Sequence, residues 1–325
     1  MAEMLAAVAV AADRDDPLAA LAVRRVPRPE PALHWTVVDV RAAALNQHDL
    51  WALRGVGLPA DRLPMVLGTD GAGVTPDGRE VVLHAVIGAT GHGVGPDERR
   101  SLLSERYPGT LAEQVAVPTW NLVPKPPELS FAEAACLPTA WLTAYRMLFV
   151  AAGLRPGDRV LVQGAGGGVA TAATRLGAAA GLEVVVTSRT AERRERALAL
   201  GAALAVEPGV RLPFTVDAVV ETVGEATWGH SLRAVRPGGV VVVAGATTGD
   251  RPPAELARVF FTDVRVVGVT MGAKEDLEAL LRFCARSGVR PVIDSVVPLA
   301  RARDAFARLA SGEQFGKVVV EVGAP

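Results

Sequence analysis

Val160-Leu161-Val162-Gln163-Gly164-Ala165-Gly166-Gly167-Gly168-Val169-Ala170 is the stretch whose reading decides the fold. An apolar run ends in a glycine cluster, and a small-residue segment follows at once. That is the order strand, tight turn, helix start. A helix N-terminus presents unpaired N–H groups and the positive end of the macrodipole, so it attracts phosphate. Glycines let the backbone approach a pyrophosphate with no side chain in the way. The best register is Ala165-x-Gly167-x-x-Ala170, with Ala where such a turn normally opens on Gly. Ala165, Gly167, Gly168 and Val169 are therefore the expected contacts to a dinucleotide.

A second apolar run, Glu183-Val184-Val185-Val186-Thr187-Ser188, begins after a helix-length segment. A site that reads NAD places Asp or Glu about 20 residues beyond the glycines, against the ribose 2′-hydroxyl. Here the strand ends in Ser188-Arg189-Thr190, with no acid. Ser188 can hydrogen-bond a phosphate and Arg189 can pair with one bidentately, which points to NADPH. The competing reading is that Arg189, Arg193, Arg194 and Arg196 form a solvated helix face. That suits Arg193 and Arg194; the strand-tip position of Ser188 and Arg189 favours the ligand.

The same rhythm continues to the C-terminus. Buried parallel strands are expected at Arg159–Gln163, Glu183–Ser188, Ala202–Val206, Val216–Glu221 and Val240–Ala244, because their runs are apolar rather than alternating. Val264–Val269 adds a sixth. A helix (Lys274–Ser287), a strand (Ile293–Val297), a helix (Leu299–Ala310) and a last strand (Lys317–Val322) follow. Val223, beyond the fourth strand, and Gly245, Ala246 and Thr247, beyond the fifth, lie at carboxyl ends, where ligands of α/β sheets bind. The first third differs. Strand candidates Leu5–Ala11, Thr36–Ala43 and Arg79–Ala85 are separated by Pro- and Gly-rich turns, and a long polar loop runs from Gly88 to Gly109. Ser130 opens a helix with Glu133 as its capping-box partner.

The chain has 325 residues, enough for two domains, and half of them are hydrophobic. Its 34 basic and 35 acidic residues nearly cancel, which argues against nucleic acid or a strongly charged partner. Two cysteines, Cys136 and Cys284, exclude a disulfide framework and a thiolate-rich zinc lobe. The apolar run from Met4 to Ala12 lacks a basic segment before it and is followed by Asp13-Arg14-Asp15-Asp16. It is expected to be a first strand, and the protein to be cytoplasmic with no membrane partner.

Several segments then carry a recognisable order: Ala44-Leu45-Asn46-Gln47-His48-Asp49, Leu67-Gly68-Thr69-Asp70-Gly71-Ala72-Gly73, Gly109-Thr110-Leu111-Ala112-Glu113-Gln114, Leu142-Thr143-Ala144-Tyr145-Arg146, the glycine turn, Val235-Arg236-Pro237-Gly238-Gly239 and Gly316-Lys317-Val318-Val319. The chain resembles the medium-chain dehydrogenase/reductase superfamily, in its zinc-free quinone oxidoreductase branch. The resemblance implies an α/β fold: a Rossmann doubly wound parallel sheet at 123–267, plus a discontinuous β-rich GroES-like barrel domain at 1–122 and 268–325, with the active site in the cleft between them. It also implies a homodimer through the Rossmann sheet, with the exposed edge at Val264–Val269 as the pairing element.

Zinc-using relatives carry a catalytic Cys–His–Cys set, and the matching positions are Asn46, Thr69 and Thr139, none of them a good zinc ligand. No metal site is expected. His48, Asp70 and Cys136 form a weaker metal alternative, against which Cys136 reads as buried and inert. His84 and His92 read as surface or loop residues. The resemblance makes Asn46 a donor to the acceptor oxygen or the cofactor ribose, against a plain turn role. His48 stands where relatives place a proton-relay hydroxyl, against a helix-surface histidine, and Asp49 fixes the loop. Trp51 is a pocket aromatic or a core residue. Thr143 falls near the nicotinamide; Phe260 and Phe261 line its side or belong to the core; Lys317 approaches the cofactor phosphate or is an edge-strand charge.

The expected activity is zinc-independent, NADPH-dependent hydride transfer to a quinone or an α,β-unsaturated carbonyl compound, since such acceptors need no strong Lewis acid. An enoyl-thioester reductase, an alcohol dehydrogenase-like enzyme and a non-catalytic NADPH-binding sensor or structural protein are the alternatives.

Overall fold

A computed structural model describes residues 2–88 and 101–323. The chain divides into two compact units, Ala140–Gly272 and a discontinuous one of Met1–Thr139 with Ala273–Pro325. The first break thus falls after Thr139 rather than after residue 122.

Ala140–Gly272 holds a six-stranded sheet: β1 (Arg159–Val162), β2 (Glu183–Thr187), β3 (Leu204–Val206), β4 (Val216–Glu221), β5 (Val235–Val243) and β6 (Arg265–Gly268). All pairings are parallel and the order is β3-β2-β1-β4-β5-β6. The order reverses between β1 and β4, which makes their carboxyl ends the switch point where doubly wound sheets bind ligands. The central strands are valine-rich and buried, as a sheet covered on both faces requires. Leu161, Val185, Val219 and Val241 pack one core with Leu232 of the helix Glu225–Ala234. Strand β6 is the outer edge, and Val266 on it is 47% exposed.

In the other unit one sheet runs in the order Leu122–Pro124, Glu80–Leu83, Asp70–Val74, Trp35–Ala44, Lys317–Glu321, Ile293–Pro298, with Gln114–Pro118 paired beside Trp35–Ala44. Asp70 pairs with Ala44, and Val319 pairs with the same Ala44 from the other side. The last strand is therefore internal to this sheet, and Lys317 is not an edge charge. Gly316 allows that strand to enter: its φ is +104°, and a Cβ there would lie 2.2 Å from Val292 O.

The capping box at Ser130 forms, with Glu133 N donating to Ser130 Oγ (3.2 Å) and Ser130 N to Glu133 Oε2 (2.8 Å). The helix it opens, Phe131–Ala135, passes into a π-helical turn, Leu137–Trp141. Helix Lys274–Ser287 spans the expected residues, while Leu299–Arg301 is a 3₁₀ turn ahead of the helix Ala302–Ala310. Among the described residues no helix is long and apolar enough to cross a membrane.

Candidate functional site

The candidate site residues fall into two groups, one in each unit. In Ala140–Gly272 the glycine turn links β1 to the helix Gly168–Ala179, whose N-cap is Gly167. Gly167 is exposed, and a Cβ added there would meet nothing within 4 Å. No packing neighbour demands glycine at that point; the turn leaves the approach to the helix N-terminus clear, as a cradle for phosphate needs. Gly168 and Val169 begin the helix, and Ala165 is buried behind it. Gly177, deeper in the same helix, lies so close to β2 that a Cβ would come 2.8 Å from Val184 Cγ2, which fixes the helix on the sheet.

A buried polar network holds this end of the sheet. Thr187 Oγ1 accepts from Gly164 N (3.0 Å) and donates to Gln163 Oε1 (2.8 Å). Gln163 Nε2 donates to Ser231 Oγ (3.0 Å), and Ser231 Oγ donates to Glu221 Oε2 (2.5 Å). The fully buried Glu221 also accepts from Val223 N, Gly224 N and Thr227 Oγ1. Beyond it, Thr248 N and Oγ1 donate to Val223 O, tying the turn after β4 to the one after β5 that contains Gly245, Ala246 and the exposed Thr247. These interactions set the carboxyl-end turns at which the expected dinucleotide contacts sit. His230 Nδ1 also meets Gln163 Nε2, and burial holds its ring below the ordinary histidine range.

Ser188 is buried and Arg189 exposed at the tip of β2. Among the described residues no hydrogen bond or ion pair holds the Arg189 side chain, whereas Arg194 donates to Ser188 O (2.8 Å) and pairs with Glu207. The arginines at this tip are thus not equivalent. Thr143 is buried on the helix Leu142–Tyr145. Phe260 and Phe261 are 61% and 80% exposed, so they are not core residues.

The second group gathers where three neighbouring strands begin or end. Asn46 N-caps the helix Gln47–Leu53, its N–H bonded to Asp49 Oδ2 (2.8 Å). Burial first, and then the nearby Asp70, push the Asp49 carboxyl up, against the pull of His48, the Asn46 N–H and Lys317. Lys317 enters from the last strand, 2% exposed. Its ammonium donates to Asp70 Oδ2 (2.8 Å), Asn46 Oδ1 (2.6 Å) and Leu45 O (2.7 Å). This corrects the reading of Lys317 as a phosphate contact: its three N–H bonds are all spent inside the protein. Asn46 Nδ2 in turn donates to Thr69 Oγ1 (3.2 Å), which lies 3.1 Å from Thr139 Oγ1.

This donor set does not fit zinc. An amide, two hydroxyls and a carboxylate engaged by an ammonium replace the thiolates and imidazole that zinc prefers. Among the described residues no cluster of three His, Cys, Asp or Glu could hold a metal. Cys136 is fully buried, and burial pushes its thiol up to about 12.

His48 Nε2 lies 2.8 Å from Glu105 Oε1, in a pair largely shielded from solvent. Burial alone would lower the His48 pKa; the Glu105 hydrogen bond and the carboxylates of Asp49, Glu105 and Asp70 outweigh it and hold it above the usual value. Trp51 is half-buried on the same helix. His84 is 1% exposed, against its reading as a surface histidine, and His92 lies outside the described residues. Sequence reasoning missed Glu105, the Lys317–Asp70 pair and the Glu221 network. Only Glu221 left a signal, as an acid that follows directly on the apolar run Ala218-Val219-Val220.

Residues 32–127 match the family model "Alcohol dehydrogenase GroES-like domain", and residues 200–320 match "Zinc-binding dehydrogenase". The chain is 34% identical to a 2-methylene-furan-3-one reductase of Solanum lycopersicum over 87% of this chain and 71% of that protein. A solved "NAD-dependent alcohol dehydrogenase" superimposes with a TM-score of 0.88 at 35% identity, over 98% of this chain and all of that one. The 2-octenoyl-CoA carboxylase reductase CinF, solved with NADP and 2-octenoyl-CoA, gives a TM-score of 0.88 at 26% identity, over 99% and 88%. Sheet order, glycine turn and these likenesses agree: the chain is an oxidoreductase of the medium-chain dehydrogenase/reductase superfamily, with a GroES-like domain and a Rossmann fold.

Proposed function

We propose that the protein is a zinc-independent, NADPH-dependent reductase of an acceptor in which a carbon–carbon double bond is conjugated to a carbonyl, quinones included. The observation that carries this is the cluster of Lys317, Asn46, Thr69 and Thr139, which supplies hydrogen-bond donors where zinc-using relatives hold a metal. Donors of this strength suit an acceptor that already takes hydride well, since they stabilise charge on oxygen without a strong Lewis acid. When bound, the reduced nicotinamide supplies the hydride. The protein's own residues hold and orient: the turn at Ala165, Gly167, Gly168 and Val169 takes the pyrophosphate, Arg189 and Ser188 the 2′-phosphate. Val223, Gly245, Ala246 and Thr247 line the far side, and Thr143 borders the nicotinamide. His48, kept basic by Glu105, returns a proton to the substrate carbon, and Trp51 flanks the acceptor.

The relatives support this acceptor class, because 2-methylene-furan-3-one and 2-octenoyl-CoA both name alkenes conjugated to a carbonyl. The second of these favours an enoyl-thioester as the runner-up. The NAD-dependent neighbour argues the other way on cofactor; the absence of an acid at the tip of β2, with Arg189 in its place, favours NADPH. The exposed edge at β6, together with Phe260 and Phe261, is the surface for a homodimer.

NADPH oxidation with an enone, a quinone and an enoyl-thioester, each with and without a chelator, tests the reading. Turnover with a conjugated acceptor that survives chelation supports it. No turnover with any of them leaves the binding-protein alternative, and loss on chelation with recovery on zinc overturns the metal-free assignment.

A further inference from the structure

The side chains from Lys317 to Thr139 form a hydrogen-bond chain with a direction. An ammonium only donates, so the Asn46 atom 2.6 Å from Lys317 Nζ is the amide oxygen. The Asn46 nitrogen therefore faces the other way. One N–H goes to Thr69 Oγ1 at 3.2 Å, the other towards Ala44 O at 3.5 Å. Thr69 Oγ1 already accepts from Asn46, and the Thr69 side chain is 1% exposed. Its hydroxyl hydrogen would be buried without a partner unless it points at Thr139 Oγ1, 3.1 Å away. An unmet donor at such a depth is costly, so Thr69 donates and Thr139 accepts. That leaves the Thr139 hydroxyl hydrogen as the free end of the chain. It has no acceptor among the described residues, and Thr139 is the half-buried member of a chain otherwise buried.

Resting on the reductase reading above, we infer that Thr139 is the residue that donates a hydrogen bond to the acceptor's carbonyl oxygen, and that Lys317, Asn46 and Thr69 are positioning residues that fix the direction of its hydroxyl. Hydride from the reduced nicotinamide forms a C–H bond at the β-carbon while the nicotinamide is oxidised by two electrons. The alkene π pair moves to the bond between the α-carbon and the carbonyl carbon, and the carbonyl π pair moves onto oxygen. The Thr139 O–H holds that enolate charge. The α-carbon then takes a proton from His48 and the carbonyl reforms. The buried ammonium at the far end strengthens each donor in turn, because a hydrogen bond polarises the next in a low-dielectric interior. Asn46 thus acts through two hydroxyls, not on the substrate itself.

Thr139→Val removes the terminal donor at nearly constant volume. We expect kcat to fall by about 10²–10³-fold, with the KM for the acceptor little changed, as for loss of a donor used in the transition state. Thr139→Ser restores most of the rate. Asn46→Asp keeps the shape but presents an acceptor to Thr69. That turns the Thr69 and Thr139 hydroxyls inward and costs kcat in the same way. The double variant Asn46→Asp/Thr139→Val is no slower than the slower single, because both remove the same donor. Full activity in a folded Thr139→Val, or losses that multiply in the double variant, overturns the inference. Neutron diffraction from deuterium-exchanged crystals of the wild type reads the direction without turnover. Deuterium carried by Thr69 between the two oxygens supports the chain; deuterium carried there by Thr139 overturns it. A wild type inactive with every conjugated acceptor sinks the reaction assignment instead, and the neutron result still decides the polarity.

Discussion

Asp70 in one unit and Glu221 in the other are fully buried carboxylates at the edge of a functional region, and the two are neutralised in opposite ways. Asp70 leans on a single cation, Lys317, and its other oxygen has no hydrogen-bond partner among the described residues. Glu221 pairs with no cation among the described residues; two backbone N–H groups and the hydroxyls of Thr227 and Ser231 surround it. The first arrangement concentrates the balance in one side chain and fails completely when that is removed. The second spreads it over several neutral donors and fails by parts. A charge in the Asp70 setting also projects a field onto its neighbours, which suits a site that must polarise. The Glu221 setting serves to lock turns in place.

Removing the cation is the sharpest way to break this contrast. Lys317→Met should cost about 3–5 kcal/mol of stability, since it leaves a buried carboxylate uncompensated. Lys317→Met/Asp70→Leu should recover much of that loss, because replacing both ions by apolar groups is close to neutral. Urea unfolding of the three proteins checks it. A single variant as stable as the wild type would show that the pair is not the support of this corner.

Glu221→Gln comes next, at about 1.5–3 kcal/mol, the scale of a hydrogen bond to a charged group. The amide nitrogen would face the hydroxyl of Ser231 or Thr227, so one contact is lost while the backbone donors are kept. Denaturant unfolding gives the size. NADPH titration of the same variant should show weaker binding as the turns after β4 and β5 loosen. Unchanged binding would separate the network from the cofactor turn.

The contrast also explains what a reader of the sequence can and cannot see. The strands of the parallel sheet were legible because a doubly covered strand must be continuously apolar, and Val184–Val186 and Val240–Val242 are. The glycine turn was legible because its chemistry is local. The Lys317–Asp70 pair was not: the two residues are 247 positions apart, and only the register of their strands against Ala44 brings them together. His48 and Glu105 meet in the same non-local way, 57 positions apart. The sequence offered Lys317 as an edge-strand charge because a lysine beside a strand ordinarily faces water; an internal position in the sheet reversed that.

In the unit that holds Glu221, Arg189 is an open cation at the tip of β2, and its effect should be comparable in size but visible only with ligand. If it pairs with the 2′-phosphate, the contact is worth roughly 1.5–3 kcal/mol, or about ten- to hundredfold preference for NADPH over NADH. Arg189→Ala should erase most of that preference, leave NADH binding nearly untouched, and show its largest effect at low salt. Fluorescence titration of both cofactors decides it. Equal affinities in the wild type would sink the assignment.

The smallest effect belongs to the His48–Glu105 pair, which sits between the two extremes: an ion pair in part shielded, with side chains 19% and 25% exposed. Its worth is about 1 kcal/mol or less. The sign is fixed by linkage. The folded pKa of His48 lies above its ordinary value of 6.5, so the stabilisation is fully present below 6.5 and disappears as pH rises through the folded value. His48→Gln should therefore be less stable than the wild type in mildly acidic buffer and equal to it well above neutrality. Asp49, whose carboxyl burial also pushes up, acts in a window that opens at its ordinary 3.8 and runs upward from there. Glu105→Gln should weaken the same pH dependence, leaving the part due to Asp49 and Asp70, and should not add to His48→Gln. Melting temperatures of the four proteins across that range measure all of this. A gap between wild type and His48→Gln that widens with rising pH would mean that the histidine is held neutral. In that case it could not be the group that returns the proton.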